Sequence, residues 1–293
     1  MATTIKDYAA EVVEILKDKG IYATVTEVTK NNGVLQTGIV LGEENITVKP
    51  TIYINDKYEQ GKTPNDIAEY IYDKYDELID RVPHFDFDIN DLNNYEKIKD
   101  KIYFTLVNKE NNKNELDNIP YTEVLDLIKV YRIRVREDAS ILIRNNFLDK
   151  WGVSKEEIEA VASENTPRLF KGDIQDIFSV FMGMGVDLSE EGISSLNNDA
   201  GMYVVTNEFR TNGAGVILYE DVLRLLSKKF DSDIIVIPSS IHEALIIPKT
   251  DRMSMEDIKE MIQTVNTEQV SLSERLSDHP YLYKRDEDEL IAA

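Results

Sequence analysis

The segment Pro238-Ser239-Ser240-Ile241-His242-Glu243 sets two hydroxyls, an imidazole and a carboxylate on one short turn between two apolar runs. A serine becomes a nucleophile when a histidine within about 3 Å takes its proton. One reading is therefore a hydrolase-type enzyme that uses Ser239, Ser240, His242 and Glu243, with His279 as a second imidazole. A structural reading stands beside it. Residues two or three apart on a turn seldom align as nucleophile and base, and no oxyanion-hole motif accompanies them. Serines on turns also satisfy the turn's own amides. Asp278-His279 pairs a carboxylate with an imidazole that it can orient, or is a loop histidine before Pro280. Arg132, Arg134 and Arg136 alternate along one strand face, with Arg144 nearby. Such a row can grip an anion or pair with acids on neighbouring strands. Tyr203, Tyr219, Tyr281 and Tyr283 can line a pocket or pack a core.

Other chemistries have no motif in the chain. There is no GxxxxGK[ST] or GxGxxG loop to cradle phosphate, and no GxSxG elbow. The three histidines, at 84, 242 and 279, are not spaced for zinc, and no Asp/Asn series matches a calcium loop. No metal and no cofactor is expected. Zero cysteines exclude disulfides and thiolate chemistry and fit a cytoplasmic location. The formal net charge of −22 repels phosphate backbones and anionic lipid, so neither nucleic acid nor membrane is an expected direct partner. The acids can instead attract a basic protein, imitate nucleic acid toward one, or serve solubility.

The elements that must position these residues read as mixed. Hydrophobic residues make up 42% of the 293, enough to build a core rather than a disordered chain. No apolar run is long enough to span a membrane, and the opening MATTIKDYAAEVVEIL lacks the pattern of a secretory signal. Ile5, Tyr8, Ala9, Val12, Val13 and Leu16 predict a first helix stopped at Gly20. YATVTEVTK and VLQTGIVLG predict a hairpin about Asn31-Asn32-Gly33, followed by an extended ITVKPTIYIN. Thr63, Pro64 and Asp66 start a helix whose stripe is Ile67, Ile71, Tyr75, Leu78 and Ile79; its other face, with Glu69, Asp73, Asp76, Glu77 and Asp80, is densely acidic. KIYFTLVN and the alternating VYRIRVRED read as strands, the latter paired with ASILIRN, and the Asn-rich NKENNKNELDN reads as a mobile loop.

Ser154 and Glu157 cap a helix expected to end at Thr166-Pro167, and DIFSVFMGMG reads as an apolar helical piece. Further on, MYVVTN and VILY read as strands around TNGAG. EDVLRLLSKKF forms a helix with Val222, Leu225 and Leu226 inward, and DIIVIP and EALIIP flank the serine turn as buried strands. Ser254 and Asp257 begin a helix with Ile258, Met261, Ile262 and Val265 inward, and PYLYKRDEDELIAA holds an edge strand. The whole predicts an α+β fold of locally paired mixed or antiparallel sheets with packed amphipathic helices. The expected division is an N-terminal region 1–170, a connecting segment 171–200 and a C-terminal region 201–293.

The blocks KNNGVLQTGIVL, PTIYIN, WGVSKEEIEAVASEN, YVVTNEFRTNGAGVILYEDVL, VIPSSIHEALIIP and LSDHPYLY resemble those of an uncharacterised bacterial family, a domain of unknown function found in low-GC Gram-positive gut anaerobes. The resemblance implies a cytoplasmic bacterial protein in which the TNGAG and PSSIHE turns recur, and it assigns no catalytic role to any residue. Three readings follow: a binding or interaction protein without enzymatic activity, the hydrolase-type enzyme of the Ser239–Glu243 turn, and an acidic nucleic-acid mimic that binds a basic protein.

Overall fold

The computed structural model describes residues 4–43, 49–80, 89–136, 139–177, 179–180, 201–238, 240–251 and 254–293. The protein is α+β, and every strand pair among the described residues is antiparallel. The chain divides into two compact units, Met1–Asp86 and Phe87–Ala293. Within the segment 171–200, the strand Gly172–Asp176 belongs to the second unit's largest sheet, while 181–200 lie outside the described residues.

The first unit holds α1 (Ile5–Asp18), β1 (Ala23–Thr29), β2 (Leu35–Leu41), β3 (Thr51–Tyr53), α2 (Asn55–Glu59), α3 (Pro64–Asp73) and α4 (Tyr75–Asp80). Thr4 caps α1, and its apolar stripe buries Tyr8, Ala9, Val12 and Leu16 against Ile39 and Leu41 of the sheet and Ile67 and Ile71 of α3. Each buried Val, Leu or Ile of this set contributes roughly 1.5–3 kcal/mol. The expected hairpin is present: Asn32 and Gly33 take φ of 59° and 70°, the left-handed region that Asn and Gly tolerate. The capping box of Thr63 and Asp66 starts α3 as its spacing predicts. The acidic helix is broken at Lys74 into α3 and α4, and Lys19 and Lys74 neutralise two of its acids, Glu69 and Glu77.

The second unit holds α5 (Tyr95–Ile98), β4 (Ile102–Asn108), β5 (Tyr121–Val124), β6 (Leu127–Arg136), β7 (Ala139–Leu142), α6 (Asn145–Trp151), α7 (Lys155–Leu169), β8 (Gly172–Asp176), β9 (Tyr203–Asn207), α8 (Val222–Phe230), β10 (Ile234–Ile237), β11 (Ala244–Pro248), α9 (Met255–Gln269), β12 (Tyr281–Lys284) and β13 (Glu289–Ala292). One sheet runs β4-β6-β5 with β7 also on β6; the other runs β13-β12-β10-β11-β9-β8. Leu106 and Leu127 of the first pack in the same core as Val205, Ile234, Val236, Ile246 and Tyr281 of the second. Along β6, Tyr131, Ile133 and Val135 are buried, and Arg132, Arg134 and Arg136 face the other way. α7 packs Ile158 and Ala162 onto the face of Ile102, Phe104, Tyr131 and Ile133.

Several elements differ from the sequence reading. Val216–Leu218 of VILY lie in a 3-10 helix, Gly213–Leu218, whose first two residues, Gly213 and Ala214, donate their N–H groups to the carbonyls of His242 and Ile241. NKENNKNELDN contains a 3-10 helix, Glu110–Asn118. Pro167 sits inside α7, close enough to its end that few helical bonds are lost. On α8 the buried residues are Leu223, Leu226 and Ser227, with Leu225 62% exposed; on α9 Met261 and Val265 are exposed beside buried Ile258 and Ile262. The C-terminal segment is a hairpin, β12–β13, and β12 is an inner strand beside β10. Most of DIFSVFMGMG lies outside the described residues.

Candidate functional site

Three sequence blocks distant along the chain meet at one end of the six-stranded sheet. The turn after β10 is pinned to the segment before β12: Ser277 N–H donates to Pro238 O (2.9 Å), and Ile241 N–H donates to Glu274 O (2.8 Å). The same turn holds the segment after β9, because His242 O accepts from both Thr206 Oγ1 (2.7 Å) and Gly213 N–H (3.0 Å). Gly213 is required by this approach. A Cβ there would lie 2.3 Å from Thr206 Oγ1 and 2.7 Å from His242 O.

The candidate residues of the serine turn part company here. Ser239 lies outside the described residues. Ser240 Oγ accepts the backbone N–H of His242 at 3.0 Å, the local turn bond of serine. The His242 ring is occupied on both sides: Nδ1 accepts Asn212 N–H (3.2 Å), and Nε2 faces Glu274 Oε1 (3.5 Å). With Nδ1 as acceptor, the ring donates through Nε2, which is aimed at the carboxylate. Glu243 is exposed and lines a separate cavity of about 260 Å³ with Asp173, Thr206, Arg210 and Leu245. His279 is exposed and bonds through its backbone to Ser277, while Asp278 accepts from Asn266 Nδ2 (2.7 Å). Four cavities among the described residues are lined by neither His242 nor His279.

A cavity of about 90 Å³ lies beside this junction, between β4, β7, α7 and the segment 207–215. Its apolar walls are Tyr103, Phe104, Phe170, Phe209 and Tyr219, and Arg136, Asn207 and Asn212 are among its polar ones. Tyr103 and Phe170 pack with ring centres 4.6 Å apart, and Phe170 meets Phe209 edge-on at 5.8 Å. The arginine row borders the cavity. Arg136 lines it, Arg134 lies over the rings of Phe170 (4.9 Å) and Phe209 (5.1 Å), and Arg132 donates to Ser140, another wall residue. Among the described residues neither Arg132 nor Arg134 pairs with a carboxylate: Arg134 donates to Leu169 O, while Arg144 meets Glu115 and Arg136 has an interaction of its own. The Tyr219 hydroxyl donates to Phe170 O (2.8 Å), and burial pushes its pKa up, so it is a neutral wall group.

Asn207 shapes the segment. Its Oδ1 accepts from Phe209 N–H and Thr211 N–H, and its Nδ2 donates to Thr211 O. Arg210 and Asn212 then take positive φ, 53° and 51°. The Asn212 side-chain amide has no partner among the described residues, although it lines the cavity.

One polar cluster escaped sequence reasoning. Asp126 follows Leu125 in the β5–β6 turn, and its carboxylate accepts from Tyr281 Oη (2.5 Å) and Ser277 Oγ (2.7 Å). Nearby, Asn108 Nδ2 donates to Leu276 O. Burial, then the Asp126 charge, drives the Tyr281 pKa up. The only local signal for this cluster is an acid between two strand-like runs. Tyr281 and Tyr283 are core residues, not pocket walls.

The fold and site describe an α+β protein with a small aromatic cavity fixed by long-range backbone bonds. The chain belongs to the family of unknown function DUF5688, which it matches over residues 3–285. No curated protein and no solved structure matches it. No helix among the described residues is long and apolar enough to cross a membrane.

Proposed function

We propose that this chain is a non-catalytic binding protein of the bacterial cytoplasm that holds a small ligand in the cavity beside segment 207–215. The observation that carries the reading is the state of His242. Both ring nitrogens have protein partners, Asn212 and Glu274, so the residue best suited to acid–base work is spent on holding the segment that walls the cavity. Ser240 is likewise engaged by the amide of His242. The wall carries aromatic faces, a guanidinium and an unpartnered amide, the mix of apolar surface and few polar groups that ligand sites use. The acidic helix supports a nucleic-acid mimic less well, since lysines of its own unit pair with Glu69 and Glu77.

The test is a ligand-observed NMR screen of small molecules against wild type and Ala139→Leu, which fills the cavity wall, together with substrate profiling of wild type and His242→Ala. The reading expects hits that Ala139→Leu removes and no turnover. Turnover in wild type that His242→Ala abolishes, or a screen whose hits survive Ala139→Leu, overturns it.

A further inference from the structure

Resting on that reading, we infer that the cavity beside segment 207–215 takes a carboxylate on a short apolar stem, with Arg136 and Asn212 on the carboxylate and the aromatic walls on the stem. Size sets the first limit. Drug-sized ligands occupy roughly 300–1,000 Å³. The cavity, at about 90 Å³, lies well below that range, so it suits a small ligand.

Charge sets the second limit. In a chain of net charge −22, Arg132, Arg134 and Arg136 gather three cationic side chains on one face of β6. Arg136 lines the cavity and has an interaction of its own. A guanidinium carries five N–H donors in a planar fork, so it holds a carboxylate alongside another contact. Arg134, stacked on Phe170 and Phe209, adds charge behind two aromatic walls. The Asn212 amide supplies a further neutral donor. Its backbone takes φ 51° and its N–H bonds His242 Nδ1, which fixes the place of Asn212 in the cavity wall. The rings of Tyr103, Phe104 and Phe170 suit methyl and methylene groups better than the fully hydrated oxygens of phosphate.

The carboxylate can belong to a small free acid or to the end of a longer molecule, and the experiment separates these. Wild-type protein is titrated with propionate, propionamide and phosphate, and with a Gly-Gly-Ala peptide whose terminus is free or amidated. Chemical shifts of backbone amides around the cavity are followed. Propionate is expected to bind saturably, with propionamide and phosphate at least about tenfold weaker. Arg136→Gln should weaken propionate about tenfold to a hundredfold, the range of one charge-assisted bond. Asn212→Gly, which keeps the positive φ, should weaken it about two- to tenfold without lowering Tm. Competition by the free-terminus peptide assigns the carboxylate to a chain end; its failure to compete assigns it to a small acid.

Equal affinity for propionate and propionamide, or unchanged propionate affinity in both variants, overturns the inference. If Arg136→Gln does not fold, Asn212→Gly and the amide control decide. If no carboxylate binds while other small molecules are displaced by Ala139→Leu, the carboxylate assignment fails and the binding reading stands. If nothing is displaced by Ala139→Leu, both fail.

Discussion

The Asp126 carboxylate joins the two sheets of the second unit, and its removal has a calculable cost. Tyr281 is 1% exposed and Ser277 2% exposed, and each directs a hydroxyl to one carboxylate oxygen. A hydrogen bond to a charged acceptor contributes about 1.5–3 kcal/mol. Tyr281→Phe removes one such bond and leaves the ring in place, so it should cost about 1.5–3 kcal/mol. For a unit of about 200 residues each kcal/mol moves Tm by about 2–4 °C, giving a fall of about 3–12 °C. Asp126→Ala should cost more, because the Tyr281 hydroxyl is then buried without its acceptor. In the double variant the two losses should overlap by about 1.5–3 kcal/mol. Trp151 is the only tryptophan and lies in this unit, so urea unfolding followed by its fluorescence reads the right transition. Additivity to within about 0.5 kcal/mol would show that the Tyr281–Asp126 contact contributes nothing of its own, and the account of the sheet junction would be wrong.

Gly213→Ala drives a Cβ into Thr206 Oγ1 and the backbone of Asn207 and His242, so a loss of about 1–3 kcal/mol in the same assay, with weakened ligand binding, is expected; an unchanged midpoint would contradict the close approach. Alkali should unfold the second unit early. Burial pushes the Tyr131 pKa up to about 12 and raises those of Tyr219 and Tyr281, so these tyrosines stay neutral in the fold while unfolded ones ionise near pH 10. Their contribution is complete below about pH 10 and is lost as pH rises above it, by about 1.4 kcal/mol per pH unit per tyrosine, and urea midpoints that stay level from pH 9 to 11 would refute this. In the first unit, Thr63→Ala should cost the cap of α3 about 1 kcal/mol, read by hydrogen exchange in α3. The Thr63 backbone N–H and hydroxyl hold the Asp66 carboxyl below its usual range, so that acid's share is present above the ordinary carboxylate range and lost as pH falls, a dependence Thr63→Ala should flatten.

What the sequence determined by itself was local. The stripe of α1, the Asn32-Gly33 turn, the capping boxes at Thr63 and Ser154 and the alternation of β6 each depend on residues within a few positions of one another. Antiparallel pairing of neighbouring runs followed, and with it the α+β class. The site was legible only in its parts. The serine turn, the TNGAG segment and the arginine row all stood out by composition, yet nothing in their spacing said that His242 would hold Asn212 or that Arg136 and Asn212 would share a wall.

Those relations are tertiary because their partners are far apart in the chain. Thr206 and His242 are separated by 36 positions and Asp126 and Tyr281 by 155. Tertiary packing also chose between near-equal local options. It rotated α8 so that Leu223, not Leu225, faces the core, and it placed Val216–Leu218 in a 3-10 helix whose first amides, those of Gly213 and Ala214, bond the carbonyls of the serine turn. Periodicity fixes which residues share a face; which face is covered, and by what, depends on the other elements that need burial.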